Sequence, residues 1–330
     1  MPDLRTEITE IVTGLGMLGL PGLGYALERR PGAIAHVGTA AWDGLREAWR
    51  AGTHTSLFDS AWANGEAFLS ADQGLRNRIP RSIEWKGAHR PPAYEQVPAD
   101  LRVDHVFLVS CKYQSRILFN PSPAHLFDRC LSDRAGEAGG DWYMTVAPEA
   151  YRAFYTSVAT TLDDLPEQVT QLLPTHRQRL KETLGRRWPE GLQEPYRMFC
   201  EAVSTATARR WKSHVTSPEP MLWRLLRLYG APYFLLGDSD SGPLRLRVYT
   251  PWDWRSRYRL EGFEVTADAS AGQPQVRWAA AVHDRESTLS ETVRGHVEIR
   301  WSHGRFCGQP ESKVYLDTPH HAVPGYESIC

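Results

Sequence analysis

The chain has 330 residues, of which 42% are hydrophobic, and a formal net charge of −1 at pH 7. A chain of this length can bury a large core, and we expect two or three domains. The nearly neutral charge argues against a protein coated in positive charge, as histones are.

The cysteine content and the apolar stretches of the sequence indicate the cellular location of the protein. The five cysteines are odd in number and widely spaced, so neither a disulfide framework nor a zinc knuckle is indicated. The glycine-rich apolar stretch near residue 14 is too short and too broken to be a membrane span or a signal peptide. We therefore expect a cytoplasmic protein that does not enter a membrane.

The first 150 residues predict a definite order of elements. Apolar residues at helical spacing predict helices over 39–50 and 56–76. A short alternating strand over 81–87 and a hairpin over 97–115 follow. A serine cap and an early proline then predict a helix over 122–134, and 140–148 has the pattern of another strand. The order is helix, three strands, helix, strand.

The hairpin carries the most informative residues. Asp104 and His105 can form its turn, and the apolar run after them leads into Ser110, Cys111 and Lys112. Asp100 lies in the first strand. A buried ammonium is unfavourable unless it contacts a carboxylate, a phosphate or water. We therefore expect Lys112 to interact with one of these groups. A purely structural reading remains open, in which Asp100 belongs to a turn and Lys112 emerges at the end of a strand.

Residues 151–232 predict helices with a basic surface. Arg209, Arg210 and Lys212 surround Trp211 on one helix and could contact a phosphate backbone. The alternative is a solvated helix face whose tryptophan packs inward.

Residues 233–330 change to alternating polarity, which predicts an antiparallel sheet or small barrel. Arg300 and Arg305 flank Trp301 there, and such interleaved basic and aromatic residues can bind nucleic acid. Core packing with surface charge is the alternative explanation.

The element order and the hairpin residues together resemble the PD-(D/E)xK nuclease superfamily, which has the restriction-endonuclease-like fold. Residues 98–100 (PAD) match the strand that carries the metal-binding aspartate, and residues 110–112 (SCK) match the third motif. The resemblance implies an α/β (α+β) protein with an α-β-β-β-α-β core. On this basis we expect a nuclease-like domain over 1–150, a helical region over 151–232 and a β-rich substrate-recognition domain over 233–330.

Ser110 departs from the family pattern, because a metal-binding carboxylate is usual at this position. A hydroxyl is a weaker ligand for Mg²⁺, so the site needs another acid, as in the SxK variant of these nucleases. Glu84 on the preceding strand is the first candidate for this acid, Glu66 (or Asp59) on the first helix the second, and Asp128 on the following helix the third.

The resemblance also implies a chemistry. Asp100 and the Cys111 carbonyl would bind Mg²⁺ or Mn²⁺, and Lys112 would orient or help to deprotonate the attacking water. Gln114 is predicted to alternate onto the strand face of Ser110 and Lys112, where it could contact a phosphate.

The implied function is a metal-dependent DNA endonuclease of bacterial restriction or antiphage defence, with RNA as an open alternative substrate. Because such nucleases often pair two copies to cut both strands, a homodimer is one expectation and an activating partner subunit is the other. Two further hypotheses stay open. One is a nucleic-acid-binding protein of the same fold that does not cut, motivated by Ser110. The other is a structural or interaction protein, motivated by the neutral charge and twelve tryptophans.

Overall fold

The computed structural model describes residues 3–87, 99–114, 117–133, 140–162, 164–185 and 187–329. The chain is a mixed α/β protein. Its helices are α1 (Leu4–Glu7), α2 (Thr13–Gly16), α3 (Leu23–Arg29), α4 (Thr39–Arg50), α5 (Thr55–Ser70), α6 (Pro123–His125), α7 (Trp142–Val146), α8 (Pro148–Ala159), α9 (Pro174–Leu184), α10 (Glu190–His214), α11 (Pro218–Leu225) and α12 (Pro251–Arg257). π-Helical turns, Ile8–Val12 and Leu126–Cys130, continue α1 and α6, and short 3₁₀ turns span Val169–Gln171 and His320–Ala322.

The strands of the described residues form two sheets. They are β1 (Ile34–Ala35), β2 (Ile83–Trp85), β3 (Leu101–Val103), β4 (Phe107–Tyr113), β5 (Ile117–Phe119), β6 (Tyr233–Ser239), β7 (Gly242–Val248), β8 (Tyr258–Asp268), β9 (Gln275–Asp284), β10 (Ser290–Arg300), β11 (Glu311–Leu316) and β12 (Tyr326–Ser328). One sheet has the order β1-β2-β3-β4-β6-β7-β12, and the other has the order β5-β11-β10-β9-β8.

The chain divides into two compact units. Unit 1 consists of Met1–Ser115, Arg227–Arg257 and Pro319–Cys330, and unit 2 consists of Arg116–Leu226 and Tyr258–Thr318. Each unit therefore contains one of the two sheets and is assembled from segments that are distant in sequence. This division differs from the three consecutive domains predicted at residues 1–150, 151–232 and 233–330.

The sheet of unit 1 is mixed. Strands β2, β3 and β4 form an antiparallel meander, while β6 runs parallel to β4 and pairs antiparallel with β7. A parallel neighbour needs a long crossover, and here the crossover from β4 to β6 contains residues 114–232. The strand that lies next to the end of β4 is thus supplied by a distant part of the sequence.

The N-terminal helices cover one face of this sheet. Apolar residues of α4 and α5, such as Leu45, Phe58 and Phe68, share a core with Leu101 and Val109 from the hairpin. The predicted helices over 39–50 and 56–76 are confirmed, although the second ends at Ser70.

The contact between α2 and α5 depends on two glycines. A Cβ atom at Gly16 would overlap the Trp62 carbonyl oxygen, and one at Gly65 would overlap the Thr13 carbonyl oxygen. The absence of side chains at both positions lets the two helix backbones approach each other closely, which fixes α5 against the sheet.

Unit 2 combines the antiparallel sheet with helices α6 to α11. The predicted antiparallel sheet over the C-terminal region is confirmed for β8 to β11, which pair consecutively. Aromatic side chains from several elements meet in its core, namely Tyr143, Tyr151, Phe154, Phe199, Trp301 and Phe306.

The predicted strand over 140–148 is wrong. Residues 142–146 form helix α7, whose first amides are capped by Asp141, since the Tyr143 N–H donates to Asp141 Oδ1 at 2.9 Å. Trp142 is buried and donates its indole N–H to Thr207 Oγ1 at 3.0 Å. The aromatic residues that suggested a strand instead anchor this helix in the core.

No helix in the described part of the chain has the length and apolar character needed to cross a bilayer.

Candidate functional site

The hairpin of β3 and β4 is closed at its turn by Asp104. Asp104 and His105 adopt left-handed backbone conformations, as the predicted turn requires, with φ values of 48° and 61°. Asp104 Oδ1 accepts the N–H of Arg81 at 2.7 Å and of Ser82 at 3.1 Å, and Asp104 pairs with Arg78. Burial acts to raise the pKa of Asp104, but the bonds from Arg78 and the backbone outweigh it and lower the pKa.

The open end of the hairpin holds Asp100. Its N–H donates to the Val109 carbonyl at 2.8 Å, one residue out of the β3–β4 register, in which Val109 pairs with Leu101. Asp100 Oδ2 accepts the Cys111 N–H at 2.7 Å and the Ser110 hydroxyl at 3.2 Å. The carboxylate is thereby fixed over the last residues of β4. We call Asp100, Ser110, Cys111 and Lys112 the hairpin site.

Strand alternation brings the side chains of this site to one face. Val109 is buried in the core beneath the N-terminal helices, so Ser110 and Lys112 face the opposite side of the sheet. Asp100 is on that side too, since its carboxylate bonds the Ser110 hydroxyl. The sequence prediction that Asp100, Ser110 and Lys112 lie together agrees with this geometry.

Lys112 is a cation in a partly desolvated position. Burial lowers the pKa of Lys112, Asp100 acts to raise it and Arg227 acts to lower it further, and the net effect is a pKa below the ordinary lysine value. A lysine of this kind gives up its proton more readily than one in water.

Cys111 takes part in the hairpin site through its backbone N–H and carbonyl groups. In an antiparallel ladder the N–H and C=O of one residue point to the same side of the strand. The Cys111 N–H points to Asp100, so its carbonyl is directed to that side as well. Burial raises the pKa of the Cys111 thiol, which lies on the core face of the strand, and this thiol stays protonated.

Gln114 does not continue the strand. Strand β4 ends at Tyr113, and Gln114 has a left-handed φ of 53° while its N–H donates to the Asp238 carbonyl at 2.7 Å. The predicted alternation onto the face of Ser110 and Lys112 is therefore wrong. Gln114 is an exposed residue at the end of the strand.

Glu84 is on the same face but is already held by cations. It lies opposite Arg102 in the β2–β3 ladder, and the guanidinium contacts its carboxylate at 2.6, 2.8 and 3.0 Å. Lys86 Nζ lies 3.5 Å from the carboxylate, and His105 Nδ1 lies 2.8 Å from it. The hydrogen bonds from Arg102 lower the pKa of Glu84 more than burial raises it, and the charges of Arg102 and Lys86 lower it further.

The other two candidate acids are in different surroundings. Glu66 is exposed on α5, which packs on the face of the sheet opposite to Asp100, and Asp59 is exposed on the same helix. Asp128 is buried in unit 2, where Arg210 contacts it at 2.8 and 3.0 Å and His214 at 3.4 Å. The structure does not bring Glu66 to Asp100, and it gives Asp128 a structural ion pair.

The predicted metal ligands form a small set. Within the ranges that the structure describes, no group of three or more His, Cys, Asp or Glu side chains is arranged to hold a metal ion. Of the predicted ligands, the Asp100 carboxylate and the Cys111 backbone lie in contact, through the Cys111 N–H. This set fits Mg²⁺, which is commonly bound by one or two carboxylates together with substrate phosphates and water.

Two basic residues of this region, Lys86 and Arg102, were not predicted as site residues. The N–H of Lys86 donates to the Asp100 carbonyl at 2.9 Å, so Lys86 lies opposite Asp100 in the ladder. Arg102 follows Asp100 by two residues. The period of two along a strand is the signal that could have found them, because it puts both side chains on the face of Asp100.

The predicted nucleic-acid contacts are dispersed over unit 2. Arg209 and Lys212 are exposed on α10, and Trp211 between them is fully buried, as the structural alternative expected. Arg210 is bound to Asp128. Arg300 pairs with Glu298 at 3.2 Å, and the Arg305 guanidinium lies 3.5 Å from the centre of the Trp188 ring.

Comparisons with protein-family models, with curated proteins and with solved structures found no match to this chain.

Proposed function

We propose that the chain is a Mg²⁺-dependent nuclease that hydrolyses phosphodiester bonds of DNA at the hairpin site. The observation that carries this proposal is the contact of the Asp100 carboxylate with the Ser110 hydroxyl and the Cys111 N–H, on the sheet face that also carries Lys112. An acid, a strand-end carbonyl and a lysine with a lowered pKa are the groups that metal-assisted hydrolysis of a phosphodiester needs.

The topology of unit 1 supports the restriction-endonuclease-like core in a modified form. Helix α5 precedes the three strands β2, β3 and β4, and the fourth strand is β6, which runs parallel to β4. Gly237 of β6 is opposite Lys112, and a Cβ atom there would overlap the Lys112 carbonyl oxygen. This close approach holds the backbone of Lys112 firmly in the sheet.

The residues of the site have distinct roles in this reaction. Asp100 and the Cys111 carbonyl would hold Mg²⁺, which supplies charge stabilisation for the phosphoryl group and a more acidic bound water. Lys112 faces the substrate side and either takes the proton of the attacking water or donates a hydrogen bond to a phosphate oxygen. Lys86 and Arg102 add positive charge to the same face, which attracts the polyanionic substrate.

A second candidate is a protein that binds a phosphate backbone at this face without cutting it. The observation that favours it is the pairing of Glu84 with Arg102, which engages the first candidate for the additional metal-binding acid. In that case Lys112 and the partly exposed Arg102 bind phosphate oxygens, and Asp100 keeps the hairpin in place.

Plasmid nicking by the full chain separates the two candidates. We expect supercoiled DNA to be nicked with MgCl₂ or MnCl₂ and to stay intact in EDTA. Asp100→Asn keeps the size of the side chain and an acceptor for the Cys111 N–H, so folding should persist while the rate falls by about 100-fold or more. Asp59→Asn, an exposed acid of α5, is the matched control and should leave the rate unchanged.

The result that contradicts the nuclease proposal is equally specific. Salt-sensitive DNA binding in EDTA, together with no nicking in either metal, would favour the second candidate. Isothermal titration calorimetry that gives wild-type Mg²⁺ affinity for Asp100→Asn would remove Asp100 from the ligand set.

A further inference from the structure

Unit 2 contains a cleft that the hairpin site does not use. It lies between the start of α10, the end of β10 with the turn after it, and the β8–β9 turn, and its volume is about 520 Å³. This volume falls within the range of roughly 300–1,000 Å³ typical of small-molecule sites. We call it the arginine cleft, after Arg187, Arg197, Arg300 and Arg305, which line it.

The described residues that line the arginine cleft bring positive charge and no carboxylate. Arg197 pairs with Glu194 at 2.7 Å and Glu201 at 3.2 Å, and Arg300 pairs with Glu298 at 3.2 Å; none of these carboxylates lines the cleft. Arg187 is exposed. Guanidinium groups converging on a concave surface are suited to a phosphate, which they can bind through two parallel hydrogen bonds.

Arg305 is fixed before any ligand arrives. Its Nη1 donates to the Leu184 carbonyl at 2.8 Å, and its guanidinium lies 3.5 Å from the centre of the Trp188 ring. Burial lowers the pKa of Arg305, yet an arginine remains charged at neutral pH. A guanidinium that is already ordered loses little further entropy when it binds an anion.

Aromatic side chains form the remaining wall of the cleft. The Trp188 and Tyr196 rings are 4.6 Å apart at an interplanar angle of 38°, and Trp301 lines the cleft beside them. Aromatic rings and guanidinium planes are the surfaces on which nucleic-acid bases stack. A ligand that combines a flat ring with a phosphate could contact both the aromatic side chains and the arginines of this cleft.

We propose that the arginine cleft binds a nucleotide, with its phosphate on the arginines and its base against the aromatic wall. The shared chemistry, an aromatic base that carries a phosphate, comes either from a free mononucleotide or from one residue of a single-stranded nucleic acid. This inference does not depend on hydrolysis at the hairpin site, since it rests on residues of unit 2 alone.

Calorimetric titration of the full chain in EDTA tests this site. The probes are deoxyadenosine monophosphate, deoxyadenosine, inorganic phosphate and a short single-stranded oligonucleotide. We expect the monophosphate to bind more tightly than either the nucleoside or phosphate alone. A preference for the oligonucleotide would identify a nucleic acid strand as the source, and a preference for the monophosphate would identify the free nucleotide.

Two substitutions at exposed or half-buried positions probe the cleft without disturbing the core. Arg187→Ala and Arg300→Ala should each weaken binding of the monophosphate by roughly tenfold or more, the usual effect of losing a charge-assisted hydrogen bond. Arg285→Ala is the matched control, because Arg285 is exposed between β9 and β10 and does not line the cleft.

The proposal is overturned by equal affinity for inorganic phosphate and the monophosphate, by equal affinity of wild type and both cleft variants, or by no measurable binding at millimolar ligand. Repeating the titration with Lys112→Ala separates this site from the hairpin site. Loss of plasmid nicking with unchanged nucleotide binding is the result expected for two independent sites. Wild-type nicking by this variant would count against the nuclease alone, and loss of its nucleotide binding would count against the assignment of that binding to the cleft.

Discussion

The two ends of the β3–β4 hairpin hold acidic residues in different ways. At the turn, Asp104 is paired with Arg78, and the neighbouring Glu84 is paired with Arg102. At the open end, Asp100 is held by the neutral hydroxyl of Ser110 and the N–H of Cys111. The charge of Asp100 also acts on Lys112, where it opposes the lowering of the lysine pKa by burial. We therefore expect the open end to carry the chemistry and the turn end to stabilise the fold.

Lys112→Ala should give the largest effect, and it tests the open end. Loss of a general acid or base lowers a rate by about 10²–10⁴-fold, so plasmid nicking should nearly disappear. Thermal unfolding should change little, because removing a desolvated ammonium also removes a desolvation penalty. Lys181→Ala, at an exposed lysine of α9, is the control. Wild-type cutting by Lys112→Ala would end the assignment.

Glu84→Gln tests whether the turn end is structural. The charge of Arg102 would remain partly buried without its carboxylate, and we expect about 3 kcal/mol of stability to be lost in urea unfolding. The double variant Glu84→Gln/Arg102→Met should recover much of that loss, which a double-mutant cycle measures.

The plasmid-nicking rate of the same variants shows whether Glu84 stabilises the fold or takes part in the reaction. If Glu84 is structural, nicking measured well below the unfolding transition should stay within a few-fold of wild type. A fall of about 100-fold with unchanged stability would instead make Glu84 the acid that replaces the carboxylate missing at Ser110.

Asp104→Ala should have a smaller effect that is confined to folding. It leaves the N–H groups of Arg81 and Ser82 without their acceptor, which costs about 1–3 kcal/mol, and it introduces alanine at a positive φ. Asp104→Asn should lose less, because asparagine tolerates this conformation and retains an acceptor oxygen. Equal stability of the alanine variant and wild type would show that the turn does not need this anchor.

Acid titration should give the smallest signal. The pKa values of Glu84 and Asp104 are lowered from 4.5 and 3.8, so the unfolded chain binds more protons than the folded chain in the window just below these values. Their stabilisation is complete above that window and is lost as the pH falls through it. As the pH falls, the unfolding free energy of the combined variant Glu84→Gln/Asp104→Asn should decrease less steeply than that of wild type. Equal slopes would show that these two carboxylates do not cause the acid destabilisation.

The hairpin could be predicted because its signals are local. Asp104 and His105 tolerate a left-handed turn, and the period of two places Ser110 and Lys112 on one strand face. The expectation that Asp100 joins them came from the resemblance to the nuclease motifs. The prediction for Gln114 failed where that period ends, since nothing in the sequence marks Tyr113 as the last residue of the strand.

The remaining site features depend on pairing between distant segments. Strand β6 joins β4 across more than a hundred residues, and no local pattern specifies that partner. Glu84 was the first candidate for the missing acid, but its cross-strand partner Arg102 was not considered. The helix at Trp142 was mistaken for a strand because aromatic residues favour strands, whereas burial and the Asp141 cap decided the outcome.

The interrupted layout of unit 1 has a consequence for synthesis on the ribosome. The hairpin emerges early, but its parallel neighbour β6 begins at Tyr233, after the first long segment of unit 2 has been translated. A nascent chain that stalls before that point lacks the strand beside Lys112 and therefore cannot complete the hairpin site. If the nuclease proposal holds, incomplete translation products are expected to be inert.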